Sequence, residues 1–173
     1  MSRLTSMSAE AIRSVFSPEA DTDIFMLLTI YDPSNNSTVI ARLSDGYTQR
    51  ISETADDVVY GVVSNGQNFI FLPMEITLPT EQEANAPSCS ITMHDVTRYI
   101  MPLIRQLSGP PMVKLDLILA KTPNVIEASF SEFYFNNISY SADTVSAQLT
   151  MINYAVEPFP SHAFTPTLFP GMF

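Results

Sequence analysis

The sequence is short of several things that would point to chemistry. It has one cysteine, no tryptophan, two histidines and only eight Lys and Arg among 173 residues. The single cysteine, Cys89, excludes an intrachain disulfide, and its place on the apolar face of an alternating run predicts a buried structural thiol rather than a nucleophile. No uninterrupted apolar stretch approaches the roughly 18 residues of a membrane-spanning helix, and Met1 to Glu10 has no signal-peptide-like apolar run. The expectation is therefore a soluble chain made in the cytosol. On that reading the N-x-[ST] matches at Asn35, Asn36 and Asn137 are turn residues rather than glycosylation sites. G-x-S-x-G, Walker, H-E-x-x-H and paired-cysteine spacings are all missing, as is the D-x-[DN]-x-[DN]-G loop of a calcium site. No catalytic residue, cofactor or metal is expected.

Basic residues are scarce and also badly placed for nucleic acid. None lies between Arg50 and Arg98, a stretch holding Glu53, Asp56, Asp57, Glu75, Glu81, Glu83 and Asp95, and none follows Lys121. Binding a phosphate backbone takes clustered cations that displace counterions. A chain with a formal net charge of −10 instead repels DNA, as suits a wall past which DNA slides.

What the chain does have is 46% hydrophobic residues, enough for one domain with a substantial core. The clearest organisation lies between Pro87 and Ala120. Cys89, Ile91 and Met93 alternate with Ser88, Ser90 and Thr92, predicting a half-buried strand. Val96, Ile100, Leu103, Ile104 and Leu107 then share one helical face behind Asp95 as N-cap, predicting a helix over 96–107 that Pro102 kinks or shortens. Met112 to Leu119 returns to period two, with Lys114 and Asp116 opposite the leucines.

Elsewhere Ser8 and Glu10 mark the start of a short helix, with Met7 and Ile12 as its staple. The continuous apolar run Asp23 to Tyr31 predicts a strand covered on both sides, with Thr38 to Leu43 as its hairpin partner. Asn65-Gly66 predicts a tight hairpin between strands Val58–Val63 and Asn68–Leu72, and Met74 to Leu78 extends as another. In Val125 to Phe135 the apolar phase slips between Phe130 and Phe133, predicting a β-bulge near Ser131-Glu132. Val145, Ala147, Leu149 and Met151 form a last one-sided strand. The expected organisation is a helical arm over residues 1–22, a β-domain over 23–156 and an extended tail over 157–173. The fold class is α+β but mostly β, an antiparallel sandwich or split barrel with one flanking helix and the short N-terminal one.

The tail places prolines 158, 160, 166 and 170 among Phe159, Phe164, Leu168, Phe169, Met172 and Phe173. Four prolines exclude a helix or central strand, and so aromatic a segment is expected to be buried, along its own domain or against a neighbour. Arg98 and Arg105, on the outer face of the predicted helix, are the closely spaced basic pair of an acidic chain. Together with the six apolar tail residues they are the candidate partner-contact positions. His94-Asp95 is read as a surface histidine beside a capping aspartate, since adjacent side chains diverge and nothing else completes a catalytic pair. His162 stands by itself in the tail.

The Asn-Gly hairpin, Phe69-Ile70-Phe71, Ile76-Thr77-Leu78-Pro79 and Ile91-Thr92-Met93-His94-Asp95 follow one another in the chain. With Pro110-Pro111-Met112-Val113, Leu117-Ile118-Leu119-Ala120 and the ending Phe164 to Phe173, this order resembles a family of uncharacterised bacteriophage tail proteins encoded near the tape-measure gene. The resemblance spans roughly residues 24–173. It implies a virion structural protein of the distal tail or tail tip, assembled in the host cytoplasm as a homo-oligomeric ring, six subunits being usual. The implied partners are tail tube, hub and tape-measure proteins, with DNA passing through the lumen unbound and no membrane involved. The alternative is a carbohydrate- or receptor-binding β-sandwich at the tip, which needs an exposed aromatic platform.

Overall fold

Alternation of apolar and polar side chains dictates strands along most of the chain, and the computed structural model has them. It describes residues 7–17, 22–53, 58–77, 88–94, 100–141 and 143–151, with the backbone alone at Asn36, Ser37 and Met101. The ten described strands are β1 (Ile24–Asp32), β2 (Asn35–Ser44), β3 (Gln49–Glu53), β4 (Val58–Ser64), β5 (Gln67–Phe71), β6 (Met74–Ile76), β7 (Ser88–His94), β8 (Met112–Leu119), β9 (Thr122–Tyr140) and β10 (Thr144–Met151). Helix α1 covers Ala9–Phe16 and α2 covers Ile100–Arg105. The fold is α+β and mostly β.

All ten strands belong to one sheet, ordered β3-β4-β5-β2-β1-β8-β9-β10-β7-β6. Every ladder is antiparallel except β2–β5, where Leu43 pairs with Ile70 and Ser44 with Phe71 in parallel. That corrects the expectation of a purely antiparallel sheet. The parallel contact arises because the β4–β5 hairpin folds back beside β2 instead of continuing the meander. The other departure is α2, which ends at Arg105 rather than Leu107; residues 95–99, where its predicted start and cap lie, are outside the described residues. Pro102 sits within it.

A two-residue step shapes the whole molecule. β5 lies third from one end of the sheet and β6 at the opposite end, yet only Leu72 and Pro73 separate them, a distance of about 7–10 Å even when extended. The Leu72 N–H donates to the Ser44 carbonyl on β2 at 2.9 Å, while the Pro73 carbonyl accepts from the His94 N–H on β7 at 2.8 Å. The sheet therefore curls until β2 and β7 are a strand's width apart. Inside the curl lies the principal core, contributed by β1, β2, β7, β8, β9 and β10 and including the buried Met93, Leu115, Phe133, Phe135 and Leu149. Ile100 and Ile104 of α2 pack onto it.

The opposite face of β1 and β8 is covered as well. Leu27 and Ile118 bury against Val62 of β4 and Phe69 of β5, because the β4–β5 hairpin crosses over that face. Its Asn65-Gly66 turn is tied to the start of β9, the Asn65 N–H donating to Asn124 Oδ1 at 2.8 Å. This is why Asp23 to Tyr31 reads as nearly continuous apolar sequence. It also buries Asp116, whose carboxylate is matched by Lys114 Nζ at 2.7 Å and by the Ser129 hydroxyl at 2.5 Å.

The register of β9 shifts at several points, and at two of them a residue stands at positive φ. Val113 faces Phe133 but Leu115 faces Phe130, leaving one extra residue at Ser131-Glu132, where Glu132 has φ +67°. Ser146 faces Ser139 but Gln148 faces Asn136, and Asn137 has φ +49°. The first insertion is the predicted bulge. The second lies at Asn137, expected from the sequence to be a turn residue, and one 19-residue strand runs through it.

At the end of β2 the chain turns through Ser44-Asp45-Gly46, and Asp45 extends the ladder by side chain. Its Oδ1 accepts the Met26 N–H at 2.7 Å, and its own N–H donates to the Met26 carbonyl at 3.2 Å. Desolvation by burial raises its pKa above the usual carboxylate value, the Met26 hydrogen bond acting in the opposite direction. A raised native pKa means that the native state takes up this proton before the unfolded chain does. The contribution is thus fully present below the unfolded carboxyl pKa of about 3.9 and lost as pH rises through the native value. Asp45→Asn keeps the acceptor without the buried charge. It is expected to be at least as stable as wild type at pH 7, with its advantage shrinking on acidification in urea titrations. Asp45→Ala, which strands the Met26 N–H, is expected to lose about 1–3 kcal/mol at every pH.

Candidate interaction surface

The residues with chemical potential are dispersed by the fold. Cys89 is buried in the principal core and burial pushes its thiol up to about 11, so it is a protonated core side chain, as its strand phase predicts. His94 ends β7, half-buried, opposite Thr144. Asp95 and His162 lie outside the described residues. Asp116, Lys114 and Ser129 form a hydrogen-bonded set, but both partners are bound to the carboxylate, and neither activates the other. No group of three or more metal-ligating side chains occurs among the described residues.

A buried carboxylate that the sequence does not single out is Glu127. It sits at an irregularity in β9, where Leu117 faces Ala128 and Ile118 faces Ile126, so Glu127 has no residue opposite. Freed from the ladder, its side chain reaches α1, its Oε2 accepting from the Ser8 N–H at 2.7 Å and Oε1 from the Ser8 hydroxyl at 3.0 Å. The Ser8 hydroxyl in turn accepts the Ala11 N–H at 3.1 Å, the N-cap expected from Ser8 and Glu10. The arm is thereby anchored at its N-terminal end, with negative charge at the positive end of the helix dipole. Its other end presents Phe16, 68% exposed.

Three surface features remain. Arg105 of α2, predicted as a contact residue, is exposed and lies over the Tyr140 ring, 5.2 Å from its centroid. Such stacking holds the guanidinium in place on the outer face of β9. Arg98 is outside the described residues, as are all six tail candidates, Phe159, Phe164, Leu168, Phe169, Met172 and Phe173.

The second feature is an aromatic cluster that no local pattern predicts. Tyr47 lies 5.5 Å from Tyr60 and 5.0 Å from Phe71, with the rings tilted by 53° and 67°. Tyr60 precedes Val62 by two residues and Phe71 follows Phe69 by two, so they continue the smaller core's face out to solvent. The signal is divided between two strands, β4 and β5, and the turn before β3. Beside it the edge strand β3 is blunted: Ile51 bulges out of register and Arg50 pairs with Glu53 at 2.7 Å across exposed side chains.

The third is an apolar groove of about 340 Å³ lined by Pro110, Tyr134, Phe135, Asn136, Thr150 and Met151, at the end of β10. Compared with known proteins, the chain matches no family model and no curated sequence.

Proposed function

We propose that this chain is a virion structural protein, a ring-forming subunit of a phage distal tail or tail tip that joins tube to hub and lets DNA pass. The observation that carries the reading is the curl bridged by Leu72 and Pro73, which wraps six strands around one core with α2 on it. The resemblance implies a split-barrel domain with a helix on its flank, and a curled, mostly β sheet with α2 packed on its core supports that reading. Acidity adds support, since Asp and Glu number 18 against eight Lys and Arg, and a lumen of that sign repels the DNA backbone. Because β3 is bulged and charged and β6 is only three residues long, subunits would join through faces and the tail rather than by pairing these sheet edges. Arg105, braced on Tyr140, is placed to meet a neighbour's carboxylate. The reading assigns no enzymatic step.

Purified protein, alone and with tail tube and hub proteins, is expected to give closed rings by electron microscopy and a matching mass by light scattering. A monomer under all these conditions overturns the proposal. The Tyr47–Tyr60–Phe71 cluster favours a second reading, a glycan- or receptor-binding module at the tip. Its tilted rings give a sugar no flat platform to stack on. Glycan binding that survives in the monomer and is abolished by Tyr60→Ala would establish it instead.

A further inference from the structure

We infer that the outer face of β9, β10 and β7 carries a binding site for a neutral carbohydrate, with Tyr134 as its wall and Gln148, Thr150, Ser88 and Ser90 as its hydrogen-bonding floor. This goes beyond the ring proposal and does not rest on it. Thr150 lines the apolar groove beside Tyr134 and also a second groove of about 360 Å³, formed with Thr77, Ser88, Cys89, Ser90 and Gln148. The two grooves are therefore neighbours on one surface. Thr150 faces Tyr134 on β9 and Ser88 on β7, and two residues back Gln148 faces Asn136 and Ser90. Phe133, Phe135, Leu149 and Cys89 fill the principal core from the same strands, so alternation turns Tyr134 and the polar set outward. From β9 across β10 and β7 to the line of β6 is three strand spacings, about 14 Å.

The lining selects the class of ligand. None of the described residues lining either groove is charged, so a phosphate, carboxylate or ammonium group finds no ion partner there. Serine and threonine hydroxyls and the glutamine amide each donate and accept, which matches a ligand that itself presents hydroxyl groups. Tyr134, half-buried, and Pro110 supply an apolar wall for the C–H face of a sugar ring. Small-molecule sites combine such a wall with a few fixed polar groups. The floor is fixed in advance of binding. Thr77 Oγ1 lies 2.8 Å from Ser90 Oγ and accepts the Ser90 N–H at 2.9 Å, while the Thr77 N–H donates to the Ser90 carbonyl at 2.9 Å. Gln148 is exposed, and its Oε1 accepts from Asn137 Nδ2 at 3.1 Å, which makes Nε2 the end that meets the ligand. Groups already held in place lose little entropy when they bind.

The test applies the purified full chain to an array of neutral, anionic and cationic oligosaccharides, followed by calorimetric titration with the neutral ones that bind. Neutral oligosaccharides are expected to bind and anionic ones are not. Gln148→Ala, at an exposed position, is expected to weaken binding about tenfold through lost hydrogen bonds. Tyr134→Ala should cost at least as much, whereas Tyr134→Phe keeps the wall and the affinity. Urea melts show which variants are folded, and if Tyr134→Ala is not, Gln148→Ala decides by itself. Binding of charged glycans only, no binding at all, or neutral binding that Gln148→Ala leaves intact overturns the inference. So does binding that Tyr60→Ala abolishes while Gln148→Ala does not, since the sugar then sits on the other aromatic cluster. Assembly is scored separately by light scattering, so failure of the ring proposal leaves these outcomes readable.

Discussion

Deletion of Tyr134 is expected to unfold the protein, while Glu132→Gly leaves it as stable as wild type or slightly more so. Tyr134 separates Phe133 and Phe135 on β9, which are 0% and 2% exposed. Removing it makes the two successive, and because strand side chains alternate they then point to opposite faces. One of them would be driven from the principal core. A large buried aromatic is worth about 3–5 kcal/mol when truncated, a large part of the whole stability of about 5–15 kcal/mol typical of a domain. Glu132 has the reverse logic. It is half of the bulge in β9, and its backbone stands at φ +67°. Glycine there removes the left-handed cost of about 1–2 kcal/mol borne by a side-chain-bearing residue, offset by about 0.5–1 kcal/mol of added chain entropy. Circular dichroism and a urea melt of the two variants check both signs; a folded Tyr134 deletion would mean that Phe133 and Phe135 do not fix the phase of β9.

Gly61→Ala is expected to cost about 3 kcal/mol or more, in contrast to near-neutral Gly109→Ala. A β-carbon at Gly61 would fall 1.9 Å from the Phe69 carbonyl oxygen and 2.5 Å from Ile51 Cδ1. The isoleucine tip has room to rotate, but the Phe69 backbone belongs to the β4–β5 ladder and to the hairpin covering β1 and β8. Relieving the clash means parting these strands, above the usual 1–3 kcal/mol range for overpacking. The Gly61 carbonyl also accepts the Thr48 N–H at 3.0 Å, so the start of β3 loosens with it. At Gly109 the nearest atom is Pro33 Cβ at 3.7 Å, ordinary contact. Thermal denaturation of the two alanine variants side by side measures the difference; similar melting temperatures would refute the close approach at Gly61.

By itself the sequence determined the local faces. Period-two alternation placed Cys89, Ile91 and Met93 together, defined Met112–Leu119 to the residue, and located the bulge at Ser131-Glu132 through the slip between Phe130 and Phe133. Asn65-Gly66 specified its hairpin, and Ser8 with Glu10 the start of α1. These are readable because each depends on neighbours within a few positions. Tertiary structure decided which surface covers each face. That β4–β5 folds across β1 and β8, burying Asp116 with Lys114 and making β2–β5 parallel, depends on packing between strands far apart in the chain. So does the step at Leu72–Pro73 that curls the sheet, the reach of Glu127 to Ser8 across 119 positions, and the meeting of Tyr47, Tyr60 and Phe71. Alternation says that a side chain points to one side of a strand; only the folded sheet puts water, another strand or a helix there.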